Sequence, residues 1–319
     1  MKGTLGSRLT AILGVFTFAA VTGLVGIGVA LDLDAKAPPV PVQSAQPSTL
    51  RVATWNVRDC AATDSGTGER LSFHDSIAGT IAAQRIDVIV FQEIQADSGT
   101  GGDIALLSVA LAKAGWSMPY TAVVDAKGSD DLAVFSRRKI TEHGPILTPS
   151  GPSLWPRPGI AARIELDGAS LDVYGFHFKA MADQASQKAR KDQAEAVAAY
   201  LKETYGPGLP GAMVVLAGDF NTTEEEELEG KGSTLSILAL REDQEAQNDF
   251  FPANLSVLGN APTFVDSRYS SVLDHILLSP GLGAGMGKGM VRLVEGGPGK
   301  GAIPVSDHRM VVAEIALLP

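Results

Sequence analysis

A single cysteine, Cys60, stands in this chain of 319 residues, so no internal disulfide can form. Free cysteine is among the most buried residue types, and Cys60 is expected inside. A basic excess is missing too: 26 Lys and Arg face 36 Asp and Glu, for a net charge of −10 and a pI of about 5.0. That excludes the strongly basic footprint of a module that wraps nucleic acid non-specifically. It does not exclude a nuclease, because a metal ion can supply positive charge locally. No internal repeat of fixed period occurs, which sets repeat architectures aside. Nor is there an aromatic hairpin suited to bilayer insertion; Trp155, among prolines, is the lone candidate, and packing within its loop suits it better.

What is present begins with the N-terminus. Lys2 and Arg8 precede an uncharged stretch, Thr10 to Leu31, and Asp32 and Asp34 follow it. At about 1.5 Å per residue this stretch spans roughly 33 Å, enough to cross a bilayer core. Basic residues before it and acidic ones after favour an N-terminus-inside orientation. Residues 1–34 are therefore read as a membrane anchor with an extracytoplasmic domain beyond it. The alternative is a signal segment, cut near Ala35-Lys36-Ala37, that leaves a secreted protein, although Pro38 suits cleavage poorly. Residues 35–49, rich in Pro, Ala, Ser and Gln, form a tether, and residues 50–319 form one domain.

Within the domain, Leu50–Val57, Ile86–Phe91, Ala122–Val124, Leu132–Phe135, Met213–Ala217, Val272–Leu278 and Met310–Leu317 read as strands. Ile160–Leu166 and Leu171–Phe178 flank Asp167-Gly168, a hairpin signal. Helices are expected over Phe73–Gln84 with Ser72 as N-cap, over Ile104–Ala114 ended by Gly115, over Gln184–Tyr205, and over Thr222–Glu227. Consecutive strands with interspersed helices suit an α/β (α+β) arrangement of two packed sheets with helices outside, though the count fits other layouts.

Six polar motifs each end an apolar run: Thr54-Trp55-Asn56, Gln92-Glu93, Phe176-His177, Gly218-Asp219-Phe220-Asn221, Leu273-Asp274-His275 and Ser306-Asp307-His308. Singly, each has a plain structural explanation, such as a turn residue, a salt bridge at the domain edge or a hydrogen-bonded core histidine. Together they supply the parts of a metal-assisted phosphoester hydrolase. Glu93 at the mouth of a buried strand needs a partner, and Mg²⁺ is a hard cation that suits it. Asn56 is placed to position metal-bound water, a carboxylate or a phosphate oxygen. Asp219 and Asn221, two apart on extended chain, point the same way. One would then activate water while the other holds phosphate. Asp307 is a further metal candidate, and His308 a contact to the scissile phosphate. Asp274, an acid at the middle of an apolar strand, would fix the His308 tautomer. His177 adds a second phosphate contact.

This ordered set resembles the endonuclease/exonuclease/phosphatase superfamily, from Trp55-Asn56 to Ser306-Asp307-His308. The resemblance implies a four-layered α/β/β/α sandwich of two mixed sheets, with the site at one end of the pair. It implies Glu93, Asn56 and Asp307 as the metal site, with Mg²⁺, or Mn²⁺ in its place, as cofactor. It also implies Asp219 as the residue that activates water, Asn221 and His177 on the phosphate, and His308 with Asp274 as the His–Asp pair. Arg157, in Pro156-Arg157-Pro158-Gly159, resembles the family's substrate-binding Arg. Residues and resemblance together leave the base open between His308 and Asp219; a cationic His308 as clamp with Asp219 as base is the expectation.

The substrate is expected to be a nucleic acid, DNA or RNA. Arg137-Arg138-Lys139 and Lys179, Lys188, Arg190 and Lys191 are local basic candidates, although a solvated face explains them as well. The second reading is a phospholipid or small phosphoester, favoured by the membrane tether. The third is a binding scaffold without activity, disfavoured because no site residue is missing. The acid run Glu224–Glu227 would repel a polyanion approaching its side, and Gly230–Pro262 is a candidate substrate-selecting insertion. Nothing points to a protein partner.

Overall fold

The computed structural model describes residues 48–63, 67–68, 70–95, 102–126, 131–146, 157–223, 225–296 and 303–317. The apolar stretch Thr10–Leu31, the tether up to residue 47 and Trp155 lie outside them. Among the described residues no helix is long and apolar enough to cross a membrane.

The chain opens with β1 (Ser48–Asn56) and a tight turn at Arg58–Cys60. A small hairpin of β2 (Ala61–Thr63) and β3 (Arg70–Ser72) leads into α1 (His74–Gln84) and β4 (Val88–Gln92). Then come α2 (Asp103–Lys113), β5 (Tyr120–Val124), β6 (Leu132–Ser136), β7 (Ile140–Pro145), β8 (Ile160–Leu166), β9 (Ala169–His177) and the long α3 (Gln184–Tyr205). β10 (Val214–Asp219), α4 (Glu225–Leu228), α5 (Thr234–Leu238), β11 (Phe251–Pro252) and α6 (Ala253–Leu258) follow. The chain finishes with β12 (Phe264–Val265), β13 (Ser270–Ser271), β14 (Asp274–Leu278), α7 (Pro280–Gly283), β15 (Val291–Val294) and β16 (Met310–Leu317).

Among the described residues these strands make two six-stranded mixed sheets, ordered β15-β16-β1-β4-β6-β5 and β11-β14-β10-β9-β8-β7. Strand alternation sends every second side chain to each face, and the core divides accordingly. Val52, Val88 and Val90 from the first sheet meet Val173, Val215, Ala217 and Ile276 from the second in a core between the sheets. Ala53, Trp55, Ile89 and Phe91 turn outward against Ile77 and Ile81 of α1 and Leu107 and Leu111 of α2. On the other side Tyr174, Phe176 and Leu216 pack on Ala194, Val197 and Leu201 of α3 and on Leu235 and Leu238 of α5. This is the four-layered α/β/β/α sandwich.

Two glycines set the spacing. A Cβ on Gly175 of β9 would lie 2.5 Å from Val90 Cγ1 of the facing sheet. A Cβ on Gly218 of β10 would lie 2.1 Å from the Phe176 carbonyl oxygen, so only glycine fits next to Asp219.

Three expectations are corrected. Ser72 does not cap α1: its hydroxyl bonds His74 Nδ1 at 2.6 Å, and Phe73 holds the N-cap position with no side-chain cap. Asp274 begins β14 rather than sitting at its middle, because Asp274 pairs with the last residue of β10, Asp219. The helix after Asn221 is shorter than expected and begins at Glu225, with Thr222 held by the Val272 carbonyl and His275 instead. Within Gly230–Pro262, Leu235, Leu238 and Phe250 join the core beneath α3, and β11 edges the second sheet.

Gly218→Ala is expected to destabilise the protein by about 3 kcal/mol through overpacking against backbone. Gly79→Ala, on an exposed turn of α1 with nothing near its Cβ, should stabilise by about 0.5–1 kcal/mol. Urea unfolding midpoints at unchanged slope measure both.

Candidate active site

The polar cluster is the continuation of the inter-sheet core. Following each inward-facing row to its strand end, Val52 leads to Asn56, Val173 to His177, Val215 and Ala217 to Asp219, and Ile276 back to Asp274. Register then aligns the ends. Asn56 pairs with Gln92 across β1 and β4, and Asp219 lies between His177 of β9 and Asp274 of β14. Gln92 is buried and exchanges hydrogen bonds with Thr54 at 3.0 and 3.2 Å, closing the apolar core just beneath the site.

Asn56 Nδ2 donates to Glu93 Oε1 at 2.9 Å and to Asp219 Oδ2, on the other sheet, at 3.1 Å. His177 Nε2 lies 3.7 Å from both Glu93 Oε1 and Asp219 Oδ2. His308 joins its Nδ1 to Asp274 Oδ2 at 2.8 Å and turns Nε2 toward Asp219 Oδ2 at 3.8 Å. Asn221, at φ +51°, donates its backbone N–H to Asp219 Oδ1 and its side-chain amide to the Phe178 carbonyl. Arg157 donates to that carbonyl at 3.3 Å, beside the end of β9. Asp307 accepts from Arg58 Nη1 at 3.3 Å. All nine residues singled out in the sequence thus lie on one rim.

Several supports were not legible in the sequence. Trp55 Nε1 donates to the His308 carbonyl, and the Ser306 hydroxyl donates to the Asn56 carbonyl while accepting from His308 N–H. The Phe264 ring meets the His308 imidazole edge-on at 5.0 Å, and the Thr263 hydroxyl accepts from Asp274 N–H. Apart from the local Ser306–His308 bond, these partners lie 11 to 253 residues apart, so no local pattern announces them. Arg58 could have been suspected from its place two residues beyond Asn56. His275, by contrast, serves the core: Thr222 and Asn254 hold its ring, and burial pushes it down to about 4.

The electrostatics are set by four carboxylates, the buried Asp219 and Asp274 and the partly exposed Glu93 and Asp307. Burial first, and then the charge of Asp274, push Asp219 up to about 7 against the opposing pull of His308 and the hydrogen bonds of Asn56 and Asn221. Burial alone would lower His308. The charge and hydrogen bond of Asp274, with Asp219 and Asp307, overcome it and raise His308 to about 10. His177 is driven well below its ordinary value by burial, then by the charges of Arg157 and His308, and is a neutral imidazole. This excess of hard oxygen donors over nearby cations fits a divalent ion of the Mg²⁺ kind. Glu93 and Asp307, both partly exposed, with Asn56, could hold such an ion. Asp219, Asp274 and His308 also bring donor atoms within 4.8 Å of one another; their hydrogen bonds describe a His–Asp pair facing an acid.

The basic candidates fall differently from expectation. β6 runs antiparallel to β4, so Arg137-Arg138-Lys139 sits at the opposite end of the sheet, paired with Asp87, Asp167 and Glu165. Arg137 also covers the Trp116 ring at 3.9 Å. Arg190 is fully buried: it pairs with Glu227 at 2.9 Å and donates to the carbonyls of Lys179 and Met181. It thereby pins the loop after His177 instead of meeting solvent. Glu227, from the acid run, is consumed in that pair and repels nothing outside. Lys188 pairs with Asp192.

The model of the Endonuclease/Exonuclease/phosphatase family matches residues 53–308. No curated protein matches the chain. Among solved structures, an endonuclease/exonuclease/phosphatase from Beutenbergia cavernae DSM 12333 is similar at 19% identity and a TM-score of 0.57, covering 84% of this chain and 72% of that one. Truncated TDP2 from Caenorhabditis elegans superposes with a TM-score of 0.59 at 15% identity, covering 84% of this chain and 97% of that one. D. rerio TDP2 complexed with a single-strand DNA product does so with a TM-score of 0.53 at 17% identity, covering 84% and 99%.

Because His308 and Asp219 both bind protons more tightly folded than unfolded, both favour the fold at low pH. His308's contribution is complete below 6.5 and lost as pH rises through about 10. Asp219's is complete below 3.8 and lost through about 7. The melting temperature of the metal-free protein should therefore fall as pH is raised from 6.5 to 10, and fall less steeply in Asp274→Asn. A calorimetric pH series with equal slopes for the two proteins would refute the pairing.

Proposed function

Since this chain belongs to the endonuclease/exonuclease/phosphatase family, whose members are metal-dependent phosphoester hydrolases, we propose that it is a phosphodiesterase that cleaves nucleic acid by in-line attack of water. The observation that carries the reading is the meeting of His308, tied to Asp274, with Asp219, tied through Asn56 to Glu93, on one rim. Asp219 accepts the proton of the attacking water. His308, cationic, faces the phosphate through Nε2 and stabilises charge that grows on it in the transition state. Asp274 holds His308 in that orientation and charge state. Neutral His177 and Asn221 fix the phosphate oxygens, and Arg157 adds charge beside them. A Mg²⁺ ion held by Glu93, Asp307 and Asn56 would neutralise phosphate charge and favour departure of the leaving oxygen.

A nucleic-acid substrate is favoured over a compact phosphoester by what borders the rim. The hairpin of β12 and β13 stands against His308 and carries the half-exposed Tyr269, stacked near Phe264, beside the exposed Arg268. An aromatic platform next to a cation is what stacks a base and meets its backbone. The DNA-bound TDP2 structure shows this fold accommodating a single strand in a relative. The apolar N-terminal segment supports display of the domain outside the cytoplasm, membrane-anchored or, after cleavage, secreted.

The test is nicking of supercoiled plasmid by the purified protein. It should require Mg²⁺ or Mn²⁺ and be lost in His308→Ala and Glu93→Gln. Asp274→Asn should lower kcat by about 10²–10⁴-fold. Folded protein that leaves DNA and RNA intact but hydrolyses phospholipid or small phosphoesters would overturn the substrate while keeping the chemistry.

A further inference from the structure

Outside the rim, the molecule gathers a second set of donors. Cys60, at the end of the tight turn after β1, His74, the first residue of α1, and Asp103, the first residue of α2, bring one donor atom each within 4.8 Å of one another. All three are buried, Cys60 completely. His74 Nε2 lies 2.7 Å from Asp103 Oδ1, and its Nδ1 lies 2.6 Å from the Ser72 hydroxyl. Asp103 Oδ2 accepts from Gln95 N–H at 3.0 Å. The Cys60 thiol is buried and forms no disulfide.

We propose that Cys60, His74 and Asp103 form a second metal site, for Zn²⁺ or a similar transition ion, distinct in position and chemistry from the catalytic one. The donor set decides the metal: thiolate, imidazole and carboxylate suit a borderline-soft ion, whereas Mg²⁺ wants oxygens only. Tetrahedral coordination would put the three donors roughly 3.3–3.7 Å apart. The present arrangement needs only the His74–Asp103 contact to open and the sulfur to approach. Ser72 supplies the outer hydrogen bond that orients a metal-binding imidazole through its other nitrogen. Burial, with the charges of Asp103 and Asp59, holds the thiol proton firmly in the metal-free protein. On binding, the S–H proton passes to solvent and the sulfur lone pair passes to the metal, so uptake releases a proton.

The site has a structural purpose visible in the backbone. Arg58, Asp59 and Cys60 take φ values of +46°, +57° and +49°, three successive residues without glycine in the left-handed region. Such a run is strained, because each Cβ there crowds the following carbonyl oxygen. The turn aims Arg58 at Asp307 and donates Asp59 N–H to the Glu93 carbonyl at 2.7 Å. A metal tying Cys60 to the first residues of α1 and α2 would clamp this turn, and through it the backbone at Glu93.

Cobalt substitution tests this on the full-length protein, with no turnover involved. Stoichiometric Co²⁺ added to metal-free wild type should produce a thiolate-to-cobalt charge-transfer band and tetrahedral visible bands. Zn²⁺ should bleach them, and excess Mg²⁺ should not. Glu93→Gln, altered only at the catalytic rim, should keep the bands, and Cys60→Ser should lose them. Should Cys60→Ser fail to fold, His74→Gln and Asp103→Asn retain the thiol and should each weaken Co²⁺ binding at least about tenfold, a second-contact loss of the size seen on removing a metal-site partner. Wild type that is folded by circular dichroism yet shows no thiolate band would overturn the site, whatever the nuclease assay reports.

Discussion

One amide joins the two sheets where their apolar packing ends. Asn56 reaches from the last residue of β1 to Glu93 on its own sheet and to Asp219 on the other, at 2.9 and 3.1 Å. That double donation is only available because the sheets are held close along their length, with no side chain on Gly175 to keep Val90 away. An unpaired amide or carboxylate at such depth would cost free energy that no neighbouring contact returns. The close approach of the sheets and the satisfaction of the site are therefore one constraint. His177, Asp219 and Asp274 stand in adjacent registers of the second sheet, so fixing Asp219 against Asn56 fixes all three.

The remaining parts are arranged around the negative charge this concentrates. Asp274 has no role that an apolar residue could fill, and its Oδ1 finds no partner among the described residues. Its other oxygen holds His308, and the pair raises the histidine to about 10 while Asp219 rises to about 7. A carboxylate made a better proton acceptor beside an imidazole kept cationic is the separation of roles that acid–base chemistry needs. His177, a few ångströms away, is driven the other way, by burial first and then by the positive charges of Arg157 and His308. Two histidines of identical intrinsic chemistry thus end in opposite states, and the difference lies entirely in what faces them.

The six strand-end motifs were legible in the sequence for a physical reason. A carboxylate, amide or imidazole that closes a buried strand is conspicuous because the residues before it are uniformly apolar, and alternation says which face it occupies. The same logic placed β8, β9, α3 and β16 to within two residues at each end. It misplaced Asp274 within β14 because an apolar run does not say where pairing starts; the register with β10 does. The basic residues were the least legible. A run such as Arg137-Arg138-Lys139 looks alike at either end of a sheet, and its remoteness follows from β6 running antiparallel to β4. Arg190 looked like one member of a solvated helical face, yet it is fully buried against Glu227.

What this sequence determined alone is the character of each element: which faces are apolar, where strands end in polar side chains, and which chemistry those side chains carry. These are local matters of period and residue type. Only the tertiary structure decided which ends meet, that Trp55 and Ser306 lock the His308 loop, that Arg58 meets Asp307, and that Cys60, His74 and Asp103 converge behind the site. The reason is that those meetings depend on register and sheet-to-sheet distance. Both are set by packing between residues far apart in the chain, where no local pattern records them.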